Sequence, residues 1–235
     1  MICKNCKNDS FYQLQNEYIK CKICAKKYSL KKLKTDENII IGFWQDKTAL
    51  ELSKELNLNY KTIKSRFDEI RYKLSKFLEE EYYSMPKDYS EYEEFYYFSQ
   101  KQKLQNIKSL YEAINIIGFY SNEKIYTLLM PNLKHRRESK NEGFEEYLNW
   151  HKIYSQNSYK TKLYDFWKFL EENLKKYNGV SYESFFYYLK ECEFKFNYEK
   201  NLQLTILKNL WFIQNNIIEV LKEVRASGKT TPAIF

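Results

Sequence analysis

Two short motifs constrain this chain more than any other feature: CKNC (Cys3, Cys6) and CKIC (Cys21, Cys24). Fourteen residues lie between the pairs. Two C-x-x-C knuckles at that spacing can place four thiolates at the corners of a tetrahedron about one Zn2+ ion. The intervening KNDSFYQLQNEYIK is long enough for a short hairpin, with Tyr18–Lys20 leading in as a strand. A segment this small cannot build a core, so metal binding is expected to supply most of its folding energy, on the order of 10 kcal/mol. Four thiolates leave no open coordination position, which makes the zinc structural. Cys192 stands alone in KECEF and reads as a core residue.

Composition matters where it bears on compartment and partner. Five cysteines with no disulfide pattern fit a reducing compartment, and a cytoplasmic protein is expected. The longest apolar stretch, INIIGFY (114–120), is too short to span a bilayer, so no membrane partner is expected. The net charge is +8, from 39 basic and 31 acidic residues. A basic balance favours a polyanion partner. The four-thiolate zinc centre would carry −2, leaving roughly +6. Nine lysines fall within residues 1–34, which favours a phosphate-facing module. Lys, Asn, Tyr, Ile and Phe are inflated together, as AT-rich codon usage would do, so the tyrosine count alone says nothing about base stacking.

The stretch KTALELSKELNLNYKTIKSRFDEIRYKLSKFLEEEY (47–82) carries two helical periods. Thr48 and Glu51 have the spacing of a capping box, and Leu52 and Leu56 line one face. Asn57 in NLN suits a left-handed turn residue. A second helix from near Tyr60 sets Ile63, Phe67, Ile70, Leu74 and Phe77 at three- and four-residue steps. It opens on a polar, basic face, as the recognition helix of a helix-turn-helix does. Lys61, Lys64 and Ser65 are expected to face bases of double-stranded DNA, with Thr62, Arg66 and Arg71 nearer phosphates. Asp68 and Glu69 lie close by and limit how far that face presses onto DNA. Pro86 marks a boundary.

Further along come YEEFYYF (92–98), KIYTLLMP (124–131) and LYDFWKFL…KKYNGVSYESFFYYLKECEFKFNY (163–198). The order of ribbon, helix-turn-helix and these motifs resembles the bacterial DDE-type insertion-sequence transposases with an ISXO-like catalytic domain. The resemblance covers about residues 1–200 and is most specific over 176–198, where that family has a K-F-x-G-[IV] turn, a Phe-rich helix and E-[CS]-E-F-[RK]-F-N. It implies an RNase H-like core whose acids hold two Mg2+ ions for in-line attack on a DNA phosphate.

Carried over by residue, the resemblance departs at each catalytic position. The first acid, an Asp in the family, falls on Glu93, followed by Glu94 and Tyr96. Glutamate moves the charge outward by about 1.5 Å, where such sites hold geometry to about 0.5 Å. The second has no counterpart, since no aspartate occurs between Asp88 and Asp165, and the stretch from Pro131 to Lys160 is short for the helix, strand and loop expected there. The third falls on Tyr164, a phenol with pKa about 10 and a poor Mg2+ ligand. Asp165 sits about 100° around the helix. A lysine two turns on is replaced by Glu171.

The expected architecture is α+β or α/β: a zinc ribbon (1–36), a helix-turn-helix (37–86), a truncated RNase H-like domain (87–200), and a C-terminal helix with a tail (201–235). The expected function is recognition of insertion-sequence ends with the DDE acids lost. The alternatives are a non-catalytic regulator whose old core serves dimerisation, and a still active enzyme whose Mg2+ is held by Glu93, Glu94 and one of Glu142, Glu145 or Glu146. A zinc-ribbon RNA binder is a third. SGKT (227–230) is not a phosphate loop, because the position of its first glycine is Glu223. His135 sits in a basic turn, His151 is isolated, FKFNY reads as extended, and a last helix is expected over about 200–224.

Overall fold

The second C-x-x-C pair makes one reversal of the N-terminal sheet, and residues 14–17, with Asn16 and Glu17 at φ 59°, make the other. In the computed structural model, residues 3–84, 90–106, 109–131, 161–177 and 179–212 are described. The chain divides into two units, Met1–Tyr83 with Tyr198–Phe235, and Ser84–Asn197.

In the first unit, β1 (Phe11–Gln13), β2 (Tyr18–Cys21) and β3 (Lys27–Ser29) form an antiparallel sheet in that order. Three helices follow: α1 (Leu30–Trp44), α2 (Ala49–Glu55) and α3 (Tyr60–Ser84). Ser29 caps α1, accepting from the Lys32 N–H. The Thr48–Glu51 capping box starts α2 as expected, and Asn57 adopts φ 51° in the turn. Asn59 then caps α3, its Oδ1 accepting the Lys61 N–H at 2.8 Å. Ile39, Ile40, Phe43, Leu52, Ile63, Phe67, Ile70 and Leu74 are buried, and the Phe43 and Phe67 rings meet edge-on at 5.1 Å. A Cβ on Gly42 would lie 2.5 Å from the Leu52 side chain, so this glycine lets α1 and α2 approach closely.

The last described helix, α7 (Lys200–Phe212), belongs to this unit. It buries Ile206, Leu207, Leu210 and Trp211. The Trp44 indole donates to the Lys200 carbonyl at 2.6 Å, and Lys208 pairs with Glu37 at 2.7 Å. Buried Glu81 accepts from the Tyr198 hydroxyl at 2.7 Å.

The second unit holds β4 (Glu91–Tyr97), β5 (Ile114–Ser121) and β6 (Lys124–Leu129), again antiparallel and in sequence order. A short helix α4 (Gln100–Leu104) and one 3-10 turn (Leu110–Glu112) join β4 to β5. Helices α5 (Lys162–Leu174) and α6 (Tyr182–Asn197) pack on one sheet face. Leu163, Phe166, Trp167, Leu170 and Leu174 of α5 meet Tyr97, Ile116 and Ile125 of the sheet and Phe185, Leu189 and Cys192 of α6. A Cβ on Gly118 would lie 2.6 Å from Trp167, so only glycine lets α5 seat at the middle of β5.

The outer edge of β6 is sealed by α6. Asn197 binds both backbone groups of Ile125, at 2.8 and 2.7 Å. Glu193 accepts the Thr127 N–H at 2.9 Å, and Lys190 donates to the Thr127 carbonyl at 2.9 Å and to Glu193 at 2.8 Å. Side chains thus occupy edge groups that would otherwise pair with a foreign strand.

Three expectations need correction. α1 begins at Leu30, inside the stretch assigned to the ribbon, because Ser29 caps it. FKFNY is not extended: α6 runs through Asn197, with Phe194 buried and Phe196 packed against Phe166 and Phe169. The sheets are antiparallel throughout the described residues, so the architecture is α+β. Glu142, Glu145, Glu146, His135, His151 and residues 213–235 lie outside the described residues.

Candidate functional site

The four cysteines come together. Their Sγ atoms all lie within 4.8 Å of one another, with Cys3–Cys24 and Cys6–Cys21 at 3.4 Å. Those separations exclude disulfides, which need about 2.05 Å, and suit a tetrahedral ion with bonds of about 2.3 Å. The two knuckles are built alike. Lys7 and Ala25, each following its C-x-x-C, both adopt φ 58°. The Lys7 and Ala25 N–H groups return to the Cys3 and Cys21 carbonyls at 2.9 and 3.1 Å. Backbone N–H groups of Asn5 and Cys6 point at the Cys3 sulfur, and those of Ile23 and Cys24 at the Cys21 sulfur.

Tyr28, to which no sequence motif points, completes the cluster: its hydroxyl lies 3.2 Å from the Cys3 sulfur. Burial opposes ionisation of Cys3, yet the Tyr28 hydroxyl and the backbone N–H groups pull it down to about 6. Burial, then the bond to Cys3, pushes the Tyr28 phenol up to about 12, so it stays a donor. Hydrogen bonds of this kind orient ligands and hold their charge. The site can therefore take one metal ion with all four thiolates.

The opening turn of α3 is the second candidate. Lys61, Thr62, Lys64 and Ser65 are all exposed, while Ile63 and Phe67 on the other face are buried. Lys64 pairs with Asp68 at 2.8 Å. Arg66 is half-buried and shared between Glu69 at 2.9 Å and Asp36 at 3.9 Å. Arg71 departs from expectation: it is 3% exposed, over the Phe43 and Phe67 rings at 5.6 and 5.9 Å, and 3.2 Å from Asp68. It stands one residue after Ile70 and four after Phe67, on the core-facing side, where an arginine packs its stem and its planar charge. Arg71 thus packs against the core rather than standing on the exposed face with Lys61 and Lys64.

The third is a groove of about 540 Å³ in the second unit, lined among others by Glu93, Glu94, Tyr164, Trp167, Lys168 and Glu171. All three positions carried over from the resemblance thus line one groove. Glu93 is half-buried on β4 and accepts from the Trp167 indole at 3.1 Å; Trp167 also stacks on Phe95, centroids 4.6 Å apart. Burial pushes the Glu93 carboxyl up, against the Trp167 bond, and Glu91 adds to the rise. Glu94 is held by the Tyr96 and Tyr92 hydroxyls at 2.8 and 3.2 Å. Tyr164 is 49% exposed, and Glu171 pairs with Lys103 at 2.8 Å. Among the described residues the metal-ligating group is the cysteine set; Glu93, Glu94 and Glu171 do not gather into one.

Compared with known proteins, a 47-residue stretch covering 20% of this chain is 47% identical to an "Uncharacterized transposase-like protein" of Haemophilus influenzae. The match covers 38% of that protein's length. No family model and no solved structure matches the chain. The likeness supports a transposase-like protein. No helix among the described residues is long and apolar enough to cross a membrane.

Proposed function

We propose that this chain is a transposase-derived protein that binds double-stranded DNA at insertion-sequence ends without cutting it. The cysteine set holds Zn2+ and folds residues 3–29 as a zinc ribbon. Helices α2 and α3 act as a helix-turn-helix, with Lys61, Lys64 and Ser65 entering the major groove and Thr62 and Arg66 near phosphates. The second unit is a shortened RNase H-like core, and its groove is what remains of the catalytic centre. The observation that carries the DNA-binding reading is the exposed, basic opening turn of a helix whose opposite face is core. Glu93 and Glu94 in the groove support one other reading, a metal-dependent transposase that still cuts.

Fluorescence anisotropy tests the binding. Zinc-loaded protein is titrated onto duplex DNA from the ends flanking its own gene, onto random duplex, and onto single-stranded RNA. Lys61→Ala should weaken binding to the flanking ends by about 1–3 kcal/mol if it reads a base, and less on random duplex. Unchanged affinity in Lys61→Ala and Lys64→Ala together would remove the recognition role from α3. Preference for single-stranded RNA would replace the reading with an RNA-binding one.

A further inference from the structure

The ribbon sheet has a second face, turned away from the thiols. Register places Tyr12 opposite Lys20, and Lys20 opposite Lys27. Residues directly opposite in antiparallel strands project to the same side. Phe11, Cys21, Ile19 and Tyr28 take the other side. Lys22 lies 5.3 Å over the Tyr12 ring. Tyr12 is 56% exposed, and Lys22 and Lys27 are exposed.

Two lysines opposite each other in a ladder repel and destabilise the sheet. Among the described residues, neither Lys20 nor Lys27 has a carboxylate partner. Residues 3–29 hold six lysines against Asp9 and Glu17. An anion lying across the row relieves that repulsion. A strand spacing of about 4.8 Å spreads Tyr12, Lys20 and Lys27 over about 10 Å, enough for a phosphate backbone. The lysines of the row match the spacing and charge of a phosphate backbone. The duplex-binding reading of α3 on the same chain makes that backbone a duplex.

We propose that Tyr12, Lys20, Lys22 and Lys27 form a second DNA-contacting surface, which grips duplex backbone without reading sequence. This rests on the DNA-binding reading above and adds a site to it. The ribbon then anchors the chain on phosphates while α3 reads the groove.

The test uses the full zinc-loaded chain, random-sequence duplex and a salt series. Lys20→Gln with Lys22→Gln and Lys27→Gln should make the log K against log salt slope shallower by about 0.9 for each phosphate no longer neutralised. The weakening should be equal on random and flanking-end duplexes, with metal content unchanged. Without DNA, Lys27→Gln alone should melt at or above the wild-type temperature, because the opposed charges are gone. If the triple variant loses its metal, Lys27→Gln alone decides, with a slope shallower by about 1. An unchanged slope, while Lys61→Ala still weakens binding, overturns the ribbon surface and leaves the α3 reading standing. Absence of any duplex binding by the wild type removes both. Weakening on single-stranded RNA but not on duplex assigns the face to RNA and overturns the proposal.

Discussion

Serine at Cys21 is expected to unfold residues 3–29 while α1, α2, α3 and α7 stay folded. Cys3 and Cys21 are the only buried residues described in that segment, and the Phe11 and Tyr28 rings meet at 6.1 Å. With so little apolar burial, a metal ion held by the four thiolates would supply nearly all the stabilisation, on the order of 10 kcal/mol. Serine does not ionise to replace a thiolate, so the ion is released. The helical core uses Ile39, Ile40, Phe43, Ile63, Phe67 and Leu74, none of which lies in the ribbon. Metal analysis and amide exchange check this: Ile19–Cys21 should lose protection, whereas Ile63–Leu74 should keep it. Retained protection in the ribbon after chelation would show that it folds without metal.

The second large effect concerns the clasp on β6. Replacing Lys190 by methionine leaves the Glu193 carboxylate buried, 0% exposed, with its Oε1 already without a partner. Breaking a buried ion pair on one side typically costs about 3–5 kcal/mol. Burial pushes the Glu193 carboxyl up, and Lys190 works against that rise. A raised folded pKa gives stability that is full below the unfolded glutamate range and is lost as pH rises through the folded value. The deficit of Lys190→Met should therefore shrink as pH falls. Urea melts at neutral and mildly acidic pH measure it. Glu193→Gln in the same chain should recover most of the loss. A Lys190→Met protein as stable as wild type at neutral pH would show that the clasp does not hold the sheet edge.

How much could be read from the sequence follows from the range of each signal. The knuckles, the Thr48–Glu51 capping box, the turn at Asn57 and the start of α3 rest on residues within a few positions of one another, and the structure places them as expected. The stripe Leu163, Phe166, Trp167 and Leu170 is buried for the same reason. Arg71 misleads because side-chain charge suggests solvent while its position on the helix puts it over Phe43 and Phe67. Phe194 and Phe196 alternate as a strand would, yet lie in α6, where each finds a different neighbour. α7 joins the first unit through pairs such as Trp44 with Lys200 and Lys208 with Glu37, separated by more than 150 residues. No local period encodes such pairings. Likewise, the most specific part of the resemblance proves to be architecture: Glu193 and Asn197 bind the backbone of β6. The meeting of Glu93 with Trp167 depends on the pairing of β4 with α5, which spacing alone does not reveal.

Binding without cleavage is decided by a strand-nicking assay. Zinc-loaded protein is incubated with Mg2+ or Mn2+ and DNA carrying its own flanking ends, beside Glu93→Ala and Glu94→Ala. A retained protein–DNA complex with intact strands in both metals is the expected result. Nicking by the wild type that both alanine variants abolish would contradict it and make the groove a working catalytic centre.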